Sequence, residues 1–113
     1  MLPKVNRLKK EKDFQSVFKK GEGVKEDFLI LKKGKNSLEC SRFGFVVGIN
    51  ISKKATLRNK IKRRLRYLVH KRLPKIKKGL DVILIAQPGL EDKDFIEIEK
   101  AIDRIFDKTK IIK

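Results

Sequence analysis

Residues 81–86 read DVILIA, five apolar side chains in unbroken succession after one aspartate. A strand with one wet face alternates apolar and polar residues, whereas a run without alternation marks a strand covered on both faces. Gln87-Pro88-Gly89 ends the run, since proline and glycine interrupt a ladder. Such a strand needs neighbours for its backbone groups and packed elements above and below it. Glu11–Lys20 carries Phe14, Val17 and Phe18 at helical spacing, with Gly21 as a stop. Residues 28–32 form a short apolar run, and KGKNS at 33–37 reads as a turn. Residues 42–51 are rich in Phe, Val and Ile and read as a further strand, bent or divided at Gly48. A long helix is expected over 56–73, capped by Thr56 and stopped by Pro74. A last helix starts at Asp92 or Asp94, with Phe95, Ile98, Ile102, Ile105 and Phe106 on one face. The residues thus give the order α-β-β-α-β-α, with an extra strand or hairpin around 38–51. That is an α+β fold, a small central sheet with packed helices, in one domain over 1–113.

Charge narrows the function. The formal net charge is +17 on 113 residues, and self-repulsion at that level disfavours a compact state unless a polyanion is the partner. From Cys40 to Gly79 there is no acid and there are fourteen Lys or Arg, while seven of the fourteen acids lie between Glu91 and Asp107. One basic face and a mixed-charge last helix follow. Cys40 is the only cysteine and His70 the only histidine, so neither an internal disulfide nor a cysteine- or histidine-cluster metal site is available. No apolar run reaches the ~18 residues of a membrane span, and a cytoplasmic protein is expected.

The basic segment ATLRNKIKRRLR at 55–66 sharpens this. At 100° per residue, Leu57, Ile61, Leu65 and Leu68 fall in one apolar sector. Asn59, Arg63, Arg66 and His70 lie opposite, with Lys62 beside them, and Arg58 and Lys60 flank the edges. Like charges at i, i+3 and i+4 each cost a few tenths of a kcal/mol in an isolated helix. Phosphates would relieve that repulsion, and arginine forks match phosphate oxygens. A membrane role is poorly supported because the apolar sector is needed for the core. A helix-turn-helix DNA reader needs a second helix a short turn away, and strands flank this helix instead. Structured RNA is the better match.

At these residues the chain resembles the protein component of bacterial ribonuclease P. NRLKKEKDFQSVFKKG at 6–21 is similar to that family's opening helix, RFGFVVG followed by SKK to its central strand, and RNKIKRRLR at 58–66 to its Arg-Asn-Arg signature, with Lys60 as the third residue. The resemblance implies the order α-β-β-β-α-β-α, similar to a ribosomal-protein and elongation-factor domain, with a left-handed crossover that the general handedness rule would not have predicted. It implies a role in removing the 5′ leader of precursor tRNA, with the catalytic centre and its Mg2+ ions in the RNA subunit and no catalytic residue in this chain. It assigns RNA binding to Arg58, Asn59, Lys60, Lys62, Arg63 and Arg66. A leader cleft is assigned to Phe14, Phe18, Leu29, Leu31, Lys53 and Lys54, although spacing alone would place Phe14 and Phe18 in a core. The partners implied are ribonuclease P RNA and the precursor tRNA leader, without a membrane or an obligate protein partner. The rival reading is a ribosomal-type RNA-binding or chaperone protein of the same fold; a DNA-binding module is weaker.

Overall fold

The computed structural model describes residues 2–113. Strand β4 (Leu80–Ala86) lies inside a four-stranded sheet of order β1-β2-β4-β3. It pairs antiparallel with β2 (Leu29–Lys35) and parallel with β3 (Arg42–Val46), and β1 (Glu22–Glu26) closes the far edge against β2. Helix α1 (Glu11–Lys20) covers one face of the sheet; α2 (Ala55–Arg72) and α3 (Phe95–Thr109) cover the other. The order is therefore α-β-β-β-α-β-α.

The DVILIA run divides its side chains between two cores, as the two-residue period of a strand requires. Val82, Leu84 and Ala86 pack with Ile61, Leu65, Ile98 and Ile102 of α2 and α3. Ile83 turns the other way, to Leu8 and Val17, with Phe14, Val46 and Ile85 around it. Each fully buried aliphatic side chain contributes roughly 1.5–3 kcal/mol, so both layers stabilise one strand.

Phe43 fixes the hand of the β3–α2–β4 crossover. Its carbonyl turns to the outer edge of the sheet and accepts from the Leu8 N–H at 2.9 Å, and its ring packs with Ile61 and Leu65 of α2. In an L-residue of a rising strand whose side chain faces the viewer, N–H and C=O point right. Strand β4 then lies left of β3 with α2 in front, which is a left-handed crossover, against the common rule.

Four expectations are corrected. The extra strand is not around 38–51 but at Glu22–Glu26, where only Val24 and Glu26 are half-buried and the pairing runs through the backbone. The 42–51 strand ends at Val46, and residues 47–54 form the loop into α2. The turn expected at 33–37 begins later, because β2 continues to Lys35 opposite Leu80. Thr56 does not cap α2; Lys54 holds the cap position without a side-chain bond. The entry is held instead by Ser52, whose Oγ accepts from the Lys54 N–H at 3.1 Å and whose carbonyl accepts from Arg58 Nη1 at 2.9 Å. The expected cap of α3 does form, with Asp94 accepting from the Glu97 N–H at 2.8 Å.

Gly21 permits the sharp passage from α1 into β1. A Cβ there would lie 2.4 Å from the Val17 carbonyl oxygen and 2.7 Å from that of Lys33. At the same end of the strands, toward the β3 edge, Arg42 forks onto Asp81 at 2.9 and 2.7 Å, and Asn36 donates to the same carboxylate at 2.8 Å. Asp13 of α1 reaches Arg42 at 3.4 Å. The hydrogen bond to Asp81 raises the Arg42 pKa against the opposing effect of burial. The network ties β3, β4 and α1 together.

Candidate nucleic-acid interface

Helix α2 seats its apolar sector as its spacing predicts: Ile61, Leu65, Leu68 and Val69 are buried and Leu57 is half-buried. The rest of its circumference is basic in three strips. Arg58, Lys62 and Arg66, four residues apart, run along the flank nearer β3, and the Arg66 guanidinium lies 5.8 Å from the centre of the Phe45 ring. Lys60, Arg64, Tyr67 and Lys71 run along the flank nearer α3; Tyr67 packs on Phe95 with ring centres 6.0 Å apart. Asn59, Arg63 and His70 form the exposed crest between them. Phe95, expected in the core, is more than a third exposed because it is the first residue of α3 and meets Tyr67 at the rim.

The charges divide sharply. Among the described residues, no acid comes within ion-pair distance of Lys53, Lys54, Arg58, Lys60, Lys62, Arg63, Arg64 or Arg66. Eight cations in fourteen residues thus lack an acidic partner among the described residues. Nearly two turns later Arg72 is forked between Asp103 at 2.6 Å and Glu99 at 2.9 Å, and Lys71 reaches Glu99 at 3.5 Å.

On the opposite face of the sheet, α1 buries Val17 and leaves Phe14 half-buried and Phe18 40% exposed. Lys32 of β2 lies 5.3 Å from the Phe18 ring centre. The Phe14 ring rests on the backbone of Gly44, where a Cβ would come within 2.4 Å of its Cζ. Leu29 and Leu31 do not belong to this surface. Both are fully buried on the α2/α3 side, opposite Ala86 and Leu84, and the residues of β2 that face α1 are Ile30 and Lys32. A shift of one residue along a strand exchanges its faces, and FLIL offers apolar residues to both. Lys53 and Lys54 stand exposed in the loop before α2.

Phe14 and Arg66, assigned to different surfaces by the sequence, meet at one cavity of about 340 Å³ at the outer edge of β3, which Arg7, Lys9, Gly44 and Phe45 also line. Spacing gave no sign of this, because its walls come from four segments. Among the described residues there is no group of three or more His, Cys, Asp or Glu placed to hold a metal ion, and no helix long and apolar enough to cross a membrane.

Comparison with known proteins agrees with this architecture. The model of the family described as Ribonuclease P matches residues 2–110. The Ribonuclease P protein component of Synechocystis is 35% identical over 112 residues, 98% of this chain and 90% of the relative. That of Fusobacterium nucleatum is also 35% identical, covering 96% of this chain and 100% of its own. The structure of the Staphylococcus aureus RNase P protein superposes with a TM-score of 0.89 at 28% identity, over 96% of this chain and 98% of that one. With α1 and α2 on opposite faces of a sheet whose crossover is left-handed, and with these matches over nearly its whole length, the chain belongs to the ribonuclease P protein family.

Proposed function

We propose that this chain is the protein subunit of a cytoplasmic ribonuclease P, binding the catalytic RNA through α2 and the single-stranded leader of precursor tRNA on the α1 side of the sheet. The observation that carries the reading is the set of eight cations from Lys53 to Arg66 without acid partners among the described residues, beside an aromatic-lined cavity. Arg63 and Asn59 on the crest, with Arg58, Lys60, Lys62 and Arg66 on the flanks, offer forked and single donors to phosphate and ribose oxygens. Phe14 and Phe18 supply ring faces on which unpaired bases stack. Ile30 and Lys32 take the places first assigned to Leu29 and Leu31, and Lys53 and Lys54 add charge at the loop.

In this reading the RNA carries the reaction, and its Mg2+ ions supply charge stabilisation and an activated water at the scissile phosphate. The protein residues bind, orient and neutralise; none is assigned a proton transfer. The test is reconstitution. The chain alone leaves precursor tRNA intact, and with a bacterial ribonuclease P RNA it lowers the magnesium needed for 5′ cleavage. A chain that binds RNA but leaves that requirement unchanged would support the ribosomal or chaperone alternative.

A further inference from the structure

A second group of cations stands beyond the C-terminal end of α2, outside the surfaces described above. Lys75, Lys77 and Lys78 lie between α2 and β4, and Lys113 comes beside them after α3. All four are exposed. Among the described residues none of them has an acidic group within ion-pair distance.

Their backbone is fixed. The Lys77 N–H donates to the Ile111 carbonyl at 2.7 Å and the Lys113 N–H to the Lys75 carbonyl at 2.8 Å. Ile76 thus faces Ile112 across a short antiparallel bridge. Ser41 Oγ donates to the Lys77 carbonyl at 2.5 Å and accepts from the Leu80 N–H at 3.1 Å, which ties the segment to the start of β3. Ile76 and Ile111 anchor it in the core shared with α2 and α3. That register sets Lys75 opposite Lys113, and like charges so placed repel. Lys77, Lys78 and Lys113 converge on one cavity of about 180 Å³, which Glu39 alone among acids lines. Phosphates would relieve this repulsion on a frame that cannot relax away from it.

The chemistry differs from that of α2. Lysine ammonium groups are point charges without the arginine fork, so they neutralise a backbone and do not read it. Between the two surfaces Arg72 and Lys71 pair with Glu99 and Asp103, and Asp107 lines the same cleft. A phosphate strand leaving Arg66 would have to cross those carboxylates, so the lysines suit a separate stretch of backbone. They continue from α2 on the side of the sheet away from Phe14 and Phe18, which favours the RNA held by α2 over the leader.

We propose that Lys75, Lys77, Lys78 and Lys113 form a second contact with the RNA subunit, neutralising the phosphate backbone of a segment distinct from the one that α2 holds. This rests on the function proposed above.

The test uses the full chain with a bacterial ribonuclease P RNA. Lys77→Gln/Lys78→Gln/Lys113→Gln removes charge from exposed stems only. The log–log slope of Kd against salt should fall by about 2–3, at roughly 0.7–0.9 per phosphate. Hydroxyl-radical footprints should lose one protected segment of the RNA and keep those due to α2. Tm should equal or exceed the parent's, because the repulsion between Lys75 and Lys113 is gone. The control Lys25→Gln/Lys93→Gln/Lys100→Gln takes the same charge from the β1 and α3 surfaces and should change neither slope nor footprint. An unchanged slope and footprint in the first variant would overturn this inference and leave the function standing. An equal fall in slope for both variants would also overturn it, by reducing the lysines to bulk charge. Protection lost on precursor tRNA and kept on the RNA subunit would overturn it by giving the platform to the substrate. Failure of the parent chain to bind the RNA subunit would overturn both.

Discussion

Both ends of α2 are basic, and their surroundings are opposite. Its last turn places Arg72 between two carboxylates of α3, with Lys71 beside one of them. Its first three turns carry Arg58, Lys60, Lys62, Arg63, Arg64 and Arg66 with no acid in reach among the described residues. Half of the acids lie between Glu91 and Asp107, and the two that pair with α2, Glu99 and Asp103, stand beside its last turn. A cation paired inside the fold is part of its stability. A cluster of cations without partners is a standing repulsion, relieved by a partner from outside. The contrast therefore separates residues that hold the protein together from residues that hold something else.

The largest effect should come from salt. If six or more of the eight cations without an acidic partner each meet a phosphate, affinity for the RNA subunit should fall about 10³-fold between roughly 50 and 200 mM salt. A titration of Kd against salt gives the count as its slope, and a nearly flat line would break the comparison at once. Single substitutions sharpen it. Arg63→Ala and Arg66→Ala each remove a charged donor worth roughly 1.5–3 kcal/mol and should weaken RNA binding accordingly, with an unchanged circular-dichroism spectrum in both and an unchanged melting curve for Arg63→Ala; Arg66→Ala loses in addition its contact with the Phe45 ring. Native affinity in both variants would mean that these strips face solvent only.

The aromatic side of the cavity gives a smaller, substrate-specific effect. Phe18→Ala removes an exposed ring and should weaken holoenzyme binding of long-leader precursor tRNA by about 1–3 kcal/mol, with no change for mature tRNA. Phe14→Ala should show the same leader-specific loss together with a lowered Tm, because its ring also fills the space over Gly44. Paired affinities for long-leader and leaderless substrates, beside melting curves, check both. Equal losses on the two substrates would return the rings to a purely structural role.

Much of this was legible in the sequence because it depends on periodicity. The double burial of β4, the apolar sector of α2 and the apolar face of α3 follow from spacing alone. Pairings between distant segments were not legible. Strand β1 reads EGVKE, almost without apolar signal, and exists because β2 offers it a backbone partner. The run FLIL allows either face of β2 to be the buried one, and only the pairing of Leu29 with Ala86 decides it. The Arg42–Asp81 fork spans 39 positions of sequence, and the cavity at β3 joins Arg7 to Arg66. Leu29 and Leu31 were misassigned for the same reason: a resemblance gives positions along the chain, while the face a side chain takes is set by register.

The paired end of α2 should respond in the opposite sense. Arg72→Ala should leave affinity for the RNA subunit nearly intact and cost about 1–2 kcal/mol of stability. That exceeds an isolated surface pair because the guanidinium is forked between two carboxylates, and is below a buried pair because Asp103 stays wet. A loss of RNA affinity as large as that of Arg63→Ala would erase the distinction between the two ends.

The smallest effect is one of pH, and its sign is fixed by the direction of the shift. The hydrogen bond from Arg72 holds the Glu99 carboxyl below the usual glutamate range, against the opposing effect of desolvation, with Lys71 adding to the lowering. Arg72 is raised, chiefly by its bond to Asp103, and stays charged throughout. A carboxylate whose pKa is lower folded than unfolded contributes stability above its unfolded pKa and loses it as pH falls through the folded one. The contribution of Glu99 is therefore complete near neutrality and disappears in acid below the ordinary glutamate range. Melting curves of the protein and of Glu99→Gln should differ near neutral pH and converge in that acidic window. RNA affinity of the variant near neutrality should match the parent, since Glu99 neutralises only cations at the paired end. A stability difference that persists unchanged into acid would mean that packing of the Glu99 stem, and not its charge, joins α3 to α2.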